Sequence, residues 1–175
     1  DVILHTPAKL SRVHSNMIYN ELDKLMLPYD KTNKQKTNTV QSLHKIAEMT
    51  HKRSLVIIFS DMLDNLDSYN EMFAALEHLR YNKHEVILFH VYDSVHEQKL
   101  EYENRQYRFI DLETDEVLKL NPVEVKSRYE NIMSSKKEEL LRHCYQYQID
   151  YVEADINKAY DKVLTSYLIK RSKMM

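Results

Sequence analysis

The 175-residue sequence contains no glycine, where average usage predicts about a dozen. This excludes every motif whose chemistry needs a backbone without a side chain. There is no Walker P-loop, no dinucleotide G-x-G-x-x-G and no G-x-S-x-G nucleophile elbow. Positive-φ positions are left to Asn and Asp, so Asn82, following Leu79-Arg80-Tyr81, is the expected C-cap of its helix. Tryptophan is absent and cysteine occurs once, at Cys144. An internal disulfide and a cysteine-based zinc cluster are thereby excluded. No apolar run approaches the ~20 residues of a membrane span, and Asp1-Val2-Ile3-Leu4-His5 lacks the character of a signal peptide. With 25 basic and 27 acidic residues the formal charge is -2, which gives no general attraction to nucleic acid or anionic lipid. The expectation is a cytoplasmic protein with no nucleic-acid partner and no membrane insertion.

What is present centres on Ser54-Leu55-Val56-Ile57-Ile58-Phe59-Ser60-Asp61. A short apolar run rich in Val and Ile predicts a strand buried on both faces, in a sheet covered by helices above and below. Asp61, where the strand stops, is placed at the carboxyl edge, where open α/β sheets bind ligands. It reads equally as a cap of the following loop. A second such run, Glu85 to Tyr92, is apolar except for His90 and ends at Asp93. Between them, Ser68-x-x-Glu71 is a capping box opening a helix with Tyr69, Met72, Phe73, Leu76 and Leu79 inward. Strand, helix, strand implies a right-handed crossover and a parallel sheet.

Upstream, Val2 to His5 is a short possible strand ended by Pro7. Met17, Ile18, Leu22, Leu25 and Met26 repeat at helical spacing, and Pro28 closes that segment. Residues 29–36 read as a solvated basic loop. A second helix places Val40, Leu43, Ile46 and Ala47 inward, with Thr37 or Thr39 as its cap. Downstream, residues 108–112 and 117–120 flank Glu113-Thr114-Asp115-Glu116 as a hairpin. Asn121-Pro122 starts a long helix carrying Val125, Tyr129, Ile132, Leu140, Cys144 and Tyr147 inward. Residues 151–154 form a last strand, and a closing helix follows. The whole, residues 1–175, reads as one domain.

The nine histidines form no metal spacing, and Cys144 reads as a small core residue on an inner stripe. Asp61, Asp64 and Asp93 could meet at one sheet edge, where carboxylates beside a hydroxyl suit magnesium. For Asp64 and Asp93, termination of strands or capping of helices is the preferred reading. A magnesium-dependent phosphoryl-transfer enzyme with Asp61 as nucleophile, and Asp64 and Asp93 on the metal, is the alternative function.

Ser54 to Asp64, as SLVIIFSDMLD, resembles the fourth-strand signature of von Willebrand factor A-like domains. More narrowly it resembles the domain of unknown function 58 family, bacterial proteins associated with MoxR-type AAA+ ATPases, in its Bacteroidetes form. The similarity continues through residues 83–91, 108–114 and 149–155, and Thr37-x5-Leu43-His44-x-Ile46-Ala47-Glu48 resembles the helix before the fourth strand. The resemblance implies a Rossmann-like parallel sheet with flanking helices and a small β-hairpin. It further implies that the chain matches the carboxyl-terminal part of a longer family member, without the first strand, first helix and second strand.

By the same resemblance, the protein is a binding module and not an enzyme. It acts with a MoxR-type AAA+ ATPase in assembly or maturation of other proteins. Family members hold magnesium or manganese with a D-x-S-x-S loop, a threonine and an aspartate. Thr37 resembles that threonine and Asp61 that aspartate, whereas D-x-S-x-S is absent from this sequence. No cofactor is therefore expected for this chain unless the missing ligand loop is supplied. The family's sheet order leaves the strand at residues 55–59 without a neighbour on one side; Val2 to His5 of the same chain, the equivalent strand of a second copy, or upstream residues absent from this sequence could cover it, and self-association is the preferred reading.

Overall fold

The computed structural model describes residues 4–6, 9–26, 39–50, 53–62, 69–111 and 116–173. The chain divides into two compact units, residues 1–38 and 39–175. In the first, helix α1 (Arg12–Leu25) is capped by Ser11, whose side chain accepts from the His14 N–H. The Thr6 hydroxyl bonds the His14 ring at 3.1 Å. α1 follows the predicted periodicity, and it buries none of its residues. Leu4 to Thr6 carry no strand; the rest of that expected strand, with Pro7, lies outside the described residues.

The second unit runs α2 (Thr39–Met49), β1 (Leu55–Ser60), α3 (Tyr69–Tyr81), β2 (Glu85–Tyr92), β3 (Tyr107–Ile110), β4 (Val117–Leu120), α4 (Pro122–Gln146), β5 (Asp150–Asp155) and α5 (Tyr160–Ser172). A single π-helical turn, Ser94–Gln98, follows β2. β1, β2 and β5 form a parallel sheet in the order β1-β2-β5. Its register sets Ile57 beside Ile87 and Phe59 beside Phe89, then Phe89 beside Val152. β3 and β4 make the expected antiparallel hairpin, with Tyr107 opposite Leu120. Its turn, with Asp115, lies outside the described residues, as does Ser68 of the expected capping box. Asn121 caps α4 by accepting from the Val123 N–H at 3.3 Å, and Pro122 opens the first turn. Among the described residues no helix is long and apolar enough to cross a membrane.

The core lies on one face of the sheet. Leu43 and Ala47 of α2, Met72, Leu76 and Leu79 of α3, and Leu140 and Cys144 of α4 pack with Val86 and Leu88, and Val56 and Ile58 join them. Burial pushes the Cys144 thiol up to about 12, so at neutral pH it is an un-ionised core residue. On the opposite face, the Tyr167 ring of α5 meets Phe89 edge-on at 5.6 Å, and Arg171 of α5 pairs with Glu85.

This second layer stops short of β1. Leu55, Ile57 and Phe59 remain 46%, 48% and 67% exposed. The expectation of a strand buried on both faces is therefore corrected: β1 is half-buried, and among the described strands it lies at the edge of the sheet. The apolar run reflects what the strand is suited to pack against, and α5 supplies that cover only over β2 and β5.

The expectation that Asn and Asp take the positive-φ positions is also overturned. Arg53, Met62, Lys83, Leu100 and Gln148 have φ between 48° and 65°. After α3, the His84 N–H donates to the Leu79 carbonyl (3.3 Å) and the Lys83 N–H to Arg80 (2.8 Å). After α4, Ile149 donates to Cys144 (2.8 Å) and Gln148 to Tyr145 (3.2 Å). These are the two hydrogen bonds of the glycine-type helix stop, made with Lys83 and Gln148 in the left-handed position. Asn82 sits one residue before it, and its side-chain amide donates to the Ala47 carbonyl at 3.0 Å. It ties α3 to α2 instead of turning the chain.

Candidate functional site

The three strands end together at the carboxyl edge of the sheet, where their last residues are polar. β1 ends at Ser60, whose hydroxyl accepts from the Met62 N–H at 3.1 Å. Asp61 is exposed. Its carbonyl oxygen lies 3.1 Å from His90 Nε2, and His90 Nδ1 lies 2.7 Å from the Tyr151 hydroxyl. A carbonyl can only accept, so Nε2 carries the proton and Nδ1 accepts from Tyr151. Burial lowers the His90 pKa, against the raising effect of the Asp61 carbonyl, and keeps this neutral form.

Beside it, Glu153 accepts from the Tyr92 hydroxyl at 3.1 Å and pairs with Lys137 at 2.7 Å. Burial pushes the Glu153 carboxyl up, but Lys137 and Tyr92 outweigh it and the net shift is downward. Burial and the neighbouring Glu153 push the Tyr92 phenol up to about 12. The site is thus a set of mutually satisfied polar groups spread across the sheet.

Asp93, at the end of β2, accepts from the N–H groups of Val95 (2.8 Å) and His96 (3.0 Å), from Asn157 Nδ2 (2.7 Å) and from the His96 ring (2.9 Å). The His96 amide, Asn157 and the His96 ring hold its carboxyl far below the usual range. Glu97 returns a bond to the Asp93 N–H at 2.8 Å. Asp93 is therefore a helix cap, the reading preferred from sequence. Asp155, at the end of β5 and 5% exposed, accepts from the N–H groups of Ser94 (3.3 Å) and Asn157 (3.1 Å). Burial raises its carboxyl, and these bonds reverse the shift.

Of the expected metal residues, Thr37 lies outside the described residues, as does Asp64. Asp61 shares a hollow of about 20 Å³ with His90, Lys136 and Lys137, and cationic side chains beside a carboxylate compete with a metal. Among the described residues no three His, Cys, Asp or Glu side chains could together hold a metal ion. Asp93 and Asp61 are not drawn into one cluster, because Asp93 turns into its own cap.

The His90–Tyr151 pair, the Tyr92–Glu153–Lys137 set and Asn157 were not singled out from sequence. His90 interrupting the apolar run of β2 was the available signal for the first. The return bond from Glu97 was readable as an acidic residue shortly after a capping Asp.

Among the described residues, the fold and this edge define an α/β domain with a parallel three-stranded sheet and a separate hairpin. The family described as "Protein of unknown function DUF58" matches residues 1–139, and the chain belongs to that family. The matched segment includes β1 and β2 and stops within α4, before β5 and α5. No curated protein and no solved structure matches the chain.

Proposed function

We propose that this chain is a protein-interaction module, not an enzyme, that acts with a MoxR-type AAA+ ATPase in the assembly or maturation of other proteins. The observation that carries this reading is β1. It is uncovered on its outward face at Leu55, Ile57 and Phe59, and it pairs with β2 alone among the described strands. Contiguous exposed apolar residues on a rigid strand mark a surface that another chain covers. Through residues 55–59 the module also contacts further copies of itself. The saturated hydrogen bonding of Asp93 and Asp155 supports a structural use of those carboxylates.

The test is binding of the purified chain to a co-purified MoxR-type ATPase, read by calorimetry and by ATPase rate. The expected outcome is a complex weakened by Phe59→Asp and unaffected by Asp93→Asn in a folded variant. A stable mass increase on Asp61 after incubation with acetyl phosphate and magnesium would instead establish the phosphoryl-transfer alternative.

A further inference from the structure

α2 packs against α3, and both feed the core, Leu43 and Ala47 from the one and Met72, Leu76 and Leu79 from the other. His44 follows Leu43 and His78 precedes Leu79, so each ring stands on a helical turn that the core holds in place. Both histidines are half-buried. Their Nδ1 atoms lie 3.2 Å apart, and the ring centroids are 5.5 Å apart with planes tilted by 44°. Asn82, donating to the Ala47 carbonyl at 3.0 Å, ties the same two helices. Two neutral imidazoles that meet through like nitrogens must differ in tautomer, one donating from Nδ1 and the other accepting there. Other histidines are engaged differently. His14 bonds the Thr6 hydroxyl, His84 accepts from the Ser54 N–H, His90 spans Asp61 and Tyr151, and His96 pairs with Asp93. Among the described residues, only His44 and His78 turn ring nitrogen to ring nitrogen.

We propose that His44 and His78 are the two protein ligands of a site for a divalent transition-metal ion such as zinc, which clasps α2 to α3. At Zn–N distances of about 2.0–2.1 Å, two ligand nitrogens on one tetrahedral ion stand about 3.3 Å apart. The two Nδ1 atoms, at 3.2 Å, already have that spacing, so binding needs little movement of either helix. Imidazole suits zinc, copper and nickel, whereas magnesium takes oxygen ligands. The protons balance without release. The donating ring shifts its proton from Nδ1 to Nε2, the other ring already carries its proton there, and both Nδ1 lone pairs go to the metal. No third His, Cys, Asp or Glu joins the pair among the described residues, so water fills the remaining positions. His78 stands in the last turn of α3, where the carbonyl end of a helix favours a cation. The site involves neither β1 nor Asp61, and its failure would leave the reading of β1 untouched.

The experiment is zinc titration of the full chain, free of any histidine tag, by calorimetry and by thermal melts, with magnesium as the control. The expected result is one zinc per chain, a raised thermal midpoint and no response to magnesium. His44→Ala and His78→Ala should each weaken zinc binding by more than about tenfold and abolish the rise in midpoint, and Asp61→Ala should change neither. Ring 15N spectra of the wild type should show the Nδ1 resonances of His44 and His78 moving with zinc. That measurement needs no variant, so it decides alone if a substitution fails to fold. Absence of zinc binding overturns the proposal, as does binding that either folded histidine variant retains. Zinc that shifts the ring nitrogens of other histidines and leaves these two unchanged also overturns it. Loss of binding in Asp61→Ala would move the metal to the sheet edge and overturn it as well.

Discussion

Phe59 and Phe89 lie side by side in register, with ring centroids 4.8 Å apart and planes 15° from parallel. Their environments differ: Phe59 is 67% exposed and Phe89 is 3% exposed. A buried phenylalanine removes ~200 Å² from water, so a third of that, ~65 Å², is at stake when Phe59 becomes alanine. At ~25 cal/mol per Å² this is about 1.6 kcal/mol, and the ring pair adds about 0.5 kcal/mol. Phe59→Ala should therefore destabilise the dilute protein by about 2 kcal/mol. Phe89→Ala empties a buried site and should cost about 3–5 kcal/mol. Urea melts of both variants at low protein concentration read the difference directly. Because a second copy adds stability by mass action, the Phe59→Ala deficit should grow with protein concentration while the Phe89→Ala deficit changes less. Equal losses for the two variants in dilute solution would show that β1 is covered on its outward face and that the open-edge description is wrong.

Asp61→Ala should cost at most about 1 kcal/mol, because the bond to His90 comes from the backbone carbonyl and survives the change. Titration calorimetry with magnesium at neutral pH should show weak binding or none; a micromolar constant lost in Asp61→Ala would contradict the cation argument. Acid should weaken the fold in two stages. His90 has a lowered pKa, so below about 6.5 the unfolded chain takes up its proton first and stability declines as pH falls. His90→Gln should flatten that first decline in urea midpoints between neutral and mildly acid pH, and an unchanged slope would refute the assignment. Asp93 and Asp155 are also lowered. Their contribution is complete above about pH 4 and is lost as pH falls through their folded values. Asp155→Ala should cost about 1–3 kcal/mol at neutral pH, since it strands the Ser94 and Asn157 amides; a neutral effect in denaturant melts would sink that account.

The sheet was legible because its strands carry strong local signals. The apolar runs at 55–59 and 86–89 and the Asn121-Pro122 cap each report on their own segment, and the α/β order follows from them. The faces were not legible. Leu55, Ile57 and Phe59 have the character of buried residues, and only the placement of α5 over β2 and β5 leaves them uncovered. The left-handed positions were misassigned for a related reason. Asn82 has the right local preference, but its amide is taken by the Ala47 carbonyl, and Lys83 turns the chain one residue later. The carboxyl-edge network needed the parallel register, which brings His90 beside Glu153 and cannot be read from either strand alone.

The helix-to-strand joints have a consequence for how this protein could be strengthened. A residue with a Cβ in the left-handed conformation costs roughly 1–2 kcal/mol relative to the right-handed one, a penalty glycine escapes. Glycine returns part of that gain through the freedom it adds to the unfolded chain, about 0.4–1 kcal/mol. Lys83, with φ of 65°, stands two residues before the first residue of β2. Lys83→Gly should therefore stabilise the fold by up to about 1 kcal/mol and raise the thermal midpoint. Gln148, similarly placed before β5, is a second candidate. A substitution that loosens most proteins would here release tension at the points where β2 and β5 begin. Those same joints, left as they are, should be where the sheet first opens to exchange with water.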